Sequence, residues 1–170
     1  QLINLNFLKN VNDYSKQIIE QRDFIFLISI MILDSSDNSE YFIYKYNISN
    51  NDKKRIRFLS NFFSNNLDKN TFKEKVLWKI LYYNGKEHLN DFINFKIFKN
   101  KNVDKNLIKL KKFFSNQDPP KIDIKASTLI DKFNYKEGKE LGKKLKEIED
   151  FWVENSFKIS DQELKKIVNN

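Results

Sequence analysis

Four lysines in the second half of the chain recur at intervals of 3, 4 and 3 residues, a spacing that places side chains on one face of an α-helix. They are Lys136, Lys139, Lys143 and Lys146, and Gly138 and Gly142 lie among them. Glycine leaves a side chain out of a helical surface, so that a second backbone can approach it closely. Ammonium groups neutralise phosphates, so this combination is typical of a surface that holds the backbone of a polyanion.

The distribution of charge favours the same chemistry. The formal net charge is +8, and it is uneven: residues 1–66 hold 8 Lys or Arg against 7 Asp or Glu (+1), whereas residues 67–170 hold 23 against 16 (+7). Residues 105–146 alone hold 12 lysines against 5 acids, again +7. A local excess of this size attracts nucleic acid. The further candidates for phosphate contacts are Lys105, Lys109, Lys112, Lys125 and Lys132.

The same lysines also have a simpler explanation. Glu137, Glu140 and Glu147 lie close enough in the sequence to balance a solvated helical face. The chain is rich in Lys, Asn, Ile and Phe throughout, a composition typical of proteins encoded by AT-rich genomes. The sequence alone does not decide among a binding surface, a balanced solvated face and a bias in composition.

The sequence holds no convincing catalytic or metal-binding set. His88 is the single histidine and there is no cysteine, so a zinc site lacks its usual ligands. Glu149 and Asp150 follow lysines by about one helical turn, which favours ion pairs within the helix over acid–base catalysis. Neither adjacent glycines nor an Asp-x-Asp pair is present, although phosphoryl transfer uses such groups to hold phosphates and metal ions.

Several short motifs lie between residues 46 and 157. Tyr46–Asn50 precedes a predicted helix, and Leu81–Gly85 reads as a Leu-Tyr-x-x-Gly turn. The later positions are Pro119, Pro120, Leu129, Ile130, Gly138, Gly142, Leu145, Glu149, Trp152 and Phe157. Together they resemble the body and tail of the class II tRNA nucleotidyltransferases, the family of CCA-adding enzymes and bacterial poly(A) polymerases. Thr128 and Asn134 depart from the family's pattern, which usually has Asp and Gly at these positions.

The resemblance implies a part of a tRNA-processing protein that anchors the tRNA elbow. In that family the tail holds the elbow by its backbone, and a separate catalytic head uses Mg²⁺ with ATP or CTP. The head's motifs are missing from this sequence, so the resemblance implies tRNA and a catalytic head as partners, no cofactor in this chain and no activity of the chain alone. The alternative is a helical protein–protein interaction domain whose lysines form a solvated surface.

Composition predicts a cytoplasmic protein without a membrane partner. The absence of cysteine fits a reducing compartment. The longest apolar run, Phe24–Leu33, is too short to span a bilayer. The chain begins at Gln1 without methionine or a secretory signal pattern, which suggests a fragment or a processed product.

The apolar pattern predicts an all-α fold of eight to nine helices in two packed helical subdomains. This prediction rests on two features of the sequence: it contains few glycines and prolines, and its apolar residues recur at helical spacing. We place the boundary at Asn65–Asn70, where the charge changes, which gives a body-like subdomain 1–66 and a basic tail-like subdomain 67–170. The strongest break in the chain is nevertheless at Asp118–Pro120.

Local signals define several of the helices. The run Phe24–Leu33 predicts a buried helix, and residues 136–155 predict a long amphipathic one. Capping boxes predict helix starts after Ser49, Thr71 and Ser160.

Overall fold

The protein is all-α in every part that the structure describes. The computed structural model describes residues 11–21, 23–33, 37–64, 72–100 and 102–169, without the side chains of residues 63 and 64. Nine helices and no strand occur in these ranges. They are α1 (Asp13–Glu20), α2 (Phe24–Ile32), α3 (Asn38–Tyr46), α4 (Asn50–Ser64), α5 (Glu74–Lys99), α6 (Lys105–Ser115), α7 (Ala126–Phe133), α8 (Lys139–Glu154) and α9 (Asp161–Asn169).

The chain divides into an N-terminal unit, Gln1–Pro119, and a C-terminal unit, Pro120–Asn170. This division differs from the predicted boundary between residues 66 and 67, because helices on the two sides of that boundary share one core. Phe62 of α4 lies 4.5 Å from Phe92 of α5 between ring centroids. The boundary falls instead between Pro119 and Pro120, within the strongest break in the sequence. The predicted linker itself, residues 65–70, lies outside the described residues.

Aromatic and aliphatic side chains from α2, α4 and α5 build the main core of the N-terminal unit. Phe26 and Phe92 are almost fully buried. Phe26 meets Phe98 edge to face at 5.6 Å, and Phe72 stacks on Phe92 at 4.7 Å. Such contacts add to the free energy gained by burying large apolar side chains. The Phe26–Phe98 contact holds α2 against the second half of α5, and the Phe62–Phe92 contact does the same for α4.

Two of the predicted capping boxes are confirmed. The hydroxyl of Ser49 accepts a hydrogen bond from the Asp52 N–H and donates to the Asp52 carboxylate at 2.7 Å. Ser160 and Glu163 satisfy each other's backbone N–H groups at the start of α9. These side chains replace partners that the first turn of a helix lacks. The predicted box at Thr71 lies outside the described residues.

A glycine with positive φ interrupts α5. Gly85 has φ +83°, inside a helix that otherwise runs from Glu74 to Lys99. Only glycine adopts this conformation without strain. The sequence predicts a turn over Leu81–Gly85, and the structure shows a kink between two nearly continuous helices.

The C-terminal unit packs α7, α8 and α9 around a small aliphatic core. Its buried members are Leu129, Leu141, Ile148, Leu164 and Val168. The Tyr135 hydroxyl donates to the Val168 carbonyl at 3.0 Å, and the Lys144 ammonium donates to the Ile167 carbonyl at 3.0 Å. Both bonds tie the α7–α8 region to the end of α9.

The long amphipathic helix begins later than predicted. α8 starts at Lys139 rather than Lys136, since Gly138 occupies the N-cap position with φ +148°. Asn134, with φ +55°, ends α7 in the left-handed conformation. Lys136 therefore lies in the connection between two helices and not on the face of α8.

Candidate nucleic-acid interface

All nine lysines predicted to contact a polyanion are exposed to solvent. The structure distributes them over both units. Lys105, Lys109 and Lys112 lie on α6 in the N-terminal unit. The other six belong to the C-terminal unit, and they are Lys125, Lys132, Lys136, Lys139, Lys143 and Lys146.

Two lysines in the first half of α8 point away from its core. Lys139 and Lys143 are one turn apart and exposed, whereas Leu141 and Ile148 of the same helix are buried. Lys139 and Lys143 form no ion pair with any of the described residues. The predicted lysine face of α8 is therefore present in its N-terminal half.

Lys146 differs from its neighbours. Its ammonium lies 2.9 Å from the Asp150 carboxylate and 3.4 Å from that of Glu149. The hydrogen bond to Asp150, followed by that to Glu149, raises the pKa of Lys146. This is the ion pairing within a helix that the solvated-face explanation predicts. A phosphate would have to compete with two carboxylates for the Lys146 ammonium group.

Positive side chains predominate in the first half of α8 and negative side chains in the second, which is the less stable arrangement for a helix. Residues 139–146 hold four lysines and one glutamate, and residues 147–154 hold four acids and no base. The partial positive charge at a helix N-terminus favours acids there, and the C-terminus favours bases. The interaction of these charges with the helix dipole therefore does not account for their order along α8.

Three further lysines lie near the basic end of α8 in the sequence. Lys125 is the N-cap residue of α7, Lys132 is in its last turn, and Lys136 is in the α7–α8 connection. All three are exposed, and none forms an ion pair with a described residue. We name these three residues, with Lys139 and Lys143, the α7–α8 lysine set.

The lysines of α6 form a separate surface. Lys105, Lys109 and Lys112 are spaced 4 and 3 residues apart and are exposed, whereas Leu107 and Phe114 of the same helix are buried. The sequence of α6 contains four lysines and no acidic residue. The predicted second patch is thus one face of one helix.

The two glycines of α8 do not serve a close helix–helix contact. A methyl group added at Gly138 or Gly142 would meet no atom within 4 Å. The close approach expected from the sequence therefore has no partner among the described residues. Gly138 is explained by its positive φ, but Gly142 has helical geometry and an open surface.

Replacing Gly142 with alanine is expected to stabilise α8. The change removes backbone freedom from the unfolded chain and creates no clash, a gain of about 0.5–1 kcal/mol. Amide hydrogen exchange in α8 would slow accordingly. Faster exchange would show that an unseen contact needs the glycine.

The strongest electrostatic feature of the N-terminal unit was missed by the sequence analysis. Arg55 of α4 is 5% exposed and donates two hydrogen bonds to Asp91 of α5, at 2.7 and 2.8 Å. A third donation, at 2.6 Å, reaches Asp23, which also caps α2. Glu87 lies 3.4 Å from the same guanidinium. We call these four residues the Arg55 cluster.

The Arg55 cluster keeps its charges in a largely buried position. Burial lowers the pKa of Arg55, but the hydrogen bonds that its guanidinium donates to Asp91 and Asp23 outweigh that effect and raise the pKa overall. Burial raises the pKa of Asp91, and the hydrogen bonds and positive charge of Arg55 offset part of that rise. Arg55 and Asp91 form the buried part of the cluster, whereas the side chains of Asp23 and Glu87 are 36% and 53% exposed. The ion pairs join α2, α4 and α5.

Exposed aromatic side chains collect on α3. Tyr44 is 87% exposed, and Tyr41 and Tyr46 are about half exposed. The Lys45 ammonium lies 5.5 Å from the Tyr41 ring centroid and 5.6 Å from that of Tyr46. No spacing rule in the sequence distinguished these tyrosines from the core aromatics.

Other kinds of site find little support in the described ranges. No group of three or more His, Cys, Asp or Glu side chains that could hold a metal ion occurs there. His88 is half-buried and packs edge to face on Phe58 at 5.1 Å. None of the helices described is long and apolar enough to cross a membrane.

No family model, curated protein or solved structure matches the chain.

Proposed function

We propose that the C-terminal unit binds a folded RNA of the tRNA type by its sugar–phosphate backbone, through the α7–α8 lysine set. The observation that supports this most is that all five lysines of the set are exposed and lack carboxylate partners among the described residues. Lys146 differs, because it is paired within its helix with Glu149 and Asp150, as the alternative of a solvated face predicts. The charge order of α8 supports the proposal as well.

Phosphates suit this surface better than bases do. Lysine is a compact charge on a flexible stem and does not offer the flat, forked donor with which arginine reads guanine. Phe133 and Tyr135, the aromatic residues adjacent to members of the set in sequence, are half-buried and pack against the core of the unit, so they offer no free stacking platform. Backbone contacts combined with shape are the usual means by which proteins recognise structured RNA.

The resemblance to the class II tRNA nucleotidyltransferases gives the proposal its finer form. The chain is then the tRNA-anchoring C-terminal part of a CCA-adding or poly(A)-adding protein. Its partners are tRNA and a catalytic head that holds Mg²⁺ and ATP or CTP. The α6 lysine face is a second phosphate-binding surface in this proposal.

A protein–protein interaction domain is the second candidate. The exposed tyrosines of α3 favour it, because aromatic residues on a surface are enriched at protein interfaces. In that case the lysines act only as a solvated surface, and RNA binds weakly and without regard to its fold.

The experiment that tests the proposal compares two RNAs at equal length and low salt. Fluorescence anisotropy would measure binding of a folded tRNA and of an unstructured single strand. We expect the folded tRNA to bind at least about tenfold more tightly, because its fixed phosphate positions match a fixed set of ammonium groups. Equal affinities would reduce the interaction to charge attraction, and no binding of either RNA would contradict the proposal.

A further inference from the structure

A cavity of about 300 Å³ lies among α1, α5 and α6 of the N-terminal unit. Its apolar wall includes Ile18 and Ile97, which are 3% and 4% exposed. Its polar lining includes Lys111 and Lys112 together with the amides of Gln17 and Gln21. Small-molecule sites commonly combine an apolar wall with a few polar groups in a volume that begins at about 300 Å³.

The charge of this cavity has one sign. Among the described residues that line it are two lysines and no acidic side chain. Neither Lys111 nor Lys112 forms an ion pair with any residue that the structure describes. A cavity with two ammonium groups and no counter-charge is complementary to an anion.

The end of α6 does not use these ammonium groups. Helix C-terminal carbonyls often accept hydrogen bonds from nearby lysines. Here the Lys112 carbonyl accepts from the Ser115 hydroxyl at 2.9 Å and from the Asn116 amide at 3.4 Å. Because other side chains cap the helix, the two ammonium groups stay available to a ligand.

Lys111 is the more enclosed of the two lysines. It is half-buried, whereas Lys112 is exposed. It also lines a neighbouring cavity of about 360 Å³, whose walls include Leu89, Ile93 and Phe114 together with the charged residues Lys86 and Glu87. Burial lowers the pKa of the Lys111 ammonium, and an anion beside it would offset that loss of solvation.

We propose that the cavity lined by Lys111 and Lys112 binds a small amphipathic carboxylate, an aliphatic monocarboxylic acid of medium chain length. The alkyl chain lies along Ile18 and Ile97, and the carboxylate accepts hydrogen bonds from the Lys111 ammonium. The apolar wall accounts for the alkyl chain, and the unpaired lysines account for the charge. The amides of Gln17 and Gln21 offer further donors to the carboxylate oxygens. This site shares no residue with the α7–α8 lysine set, and it shares only Lys112 with the α6 lysine face.

Isothermal titration calorimetry on the full chain tests this proposal with three ligands of one chain length. They are decanoate, decanol and decyltrimethylammonium, each below its micelle-forming concentration. We expect decanoate to bind with one-to-one stoichiometry and the other two to bind at least about tenfold more weakly, since a hydrogen bond to a charged group is lost. Equal binding of the alcohol or the cation, or no binding of decanoate, would overturn the proposal.

Two variants identify the lysine that holds the carboxylate. Lys111→Met keeps the apolar stem and removes the ammonium, and it is expected to weaken decanoate binding by about tenfold or more. Lys109→Met is the matched control, because Lys109 lies on the exposed face of the same helix and outside the cavity lining. Thermal melting confirms that each variant is folded, and Lys111→Gln replaces the first variant if it is not. Unchanged decanoate binding in the folded Lys111 variant would refute the assigned contact.

Discussion

Replacement of Asp91 with alanine is expected to lower the free energy of unfolding by about 3–5 kcal/mol, the usual cost of leaving one member of a buried ion pair without its partner. Arg55 is 5% exposed and Asp91 1% exposed, and two hydrogen bonds shorter than 3 Å join them. The variant retains Asp23 and Glu87 near the guanidinium, but neither replaces the bidentate contact. Urea denaturation followed by circular dichroism measures the change.

The chain offers a matched control for this prediction. Arg57 and Glu40 form a second bidentate pair, with two distances of 2.8 Å, but both side chains are more than half exposed. Solvent screens such a pair, so Glu40→Ala is expected to cost a small fraction of the Asp91→Ala loss. Equal losses in the two variants would contradict the assigned burial of the Arg55 cluster.

Reversal of two charges on α8 is expected to weaken tRNA binding by about tenfold or more at low salt. Lys139→Glu and Lys143→Glu are combined in one variant, because both side chains are exposed and free of carboxylate partners among the described residues. Each change removes an attraction to phosphate and adds a repulsion. Fluorescence anisotropy with a labelled tRNA measures the affinity, and circular dichroism checks that α8 remains helical.

The control variant changes the same charge elsewhere in the C-terminal unit. Lys165 and Lys166 of α9 are also exposed, and replacing both with glutamate gives an equal change in net charge. We expect this control to retain most of the affinity. If both double variants lose affinity to the same degree, the RNA responds to net charge and the α7–α8 lysine set has no special role.

Most of the helices were predictable because their signals are local. The apolar run at Phe24–Leu33 and the Ser160 capping box each identify an element from neighbouring residues. The boundary between the two units was harder to predict. It depends on contacts such as that of Phe62 with Phe92, which join residues on the two sides of a segment that resembles a linker in the sequence.

The Arg55 cluster was not predictable for the same reason. Arg55 pairs with residues 32 and 36 positions away in the chain, on two other elements. No local spacing marks such a group. The only sequence signal is the scarcity of arginine, which makes each of the three arginines a candidate for a position that lysine cannot fill.

The candidate interface was predictable in its residue types and only partly in its geometry. Spacing alone identified the exposed face with Lys139 and Lys143. The positive φ of Gly138 delays the start of α8, which leaves Lys136 outside the helix. The pairing of Lys146 with Glu149 and Asp150 depends on side-chain conformation, which a helical period does not contain.

The most direct test of backbone binding is the salt dependence of tRNA affinity. Each phosphate neutralised by a lysine releases counterions, so the five lysines of the α7–α8 lysine set alone contribute roughly −4 to −5 to the slope of log affinity against log salt. Replacing Lys139 and Lys143 with glutamine should make that slope shallower by about 2. A slope near zero, or one that these two substitutions leave unchanged, would contradict the proposal that the α7–α8 lysine set holds RNA by its phosphates.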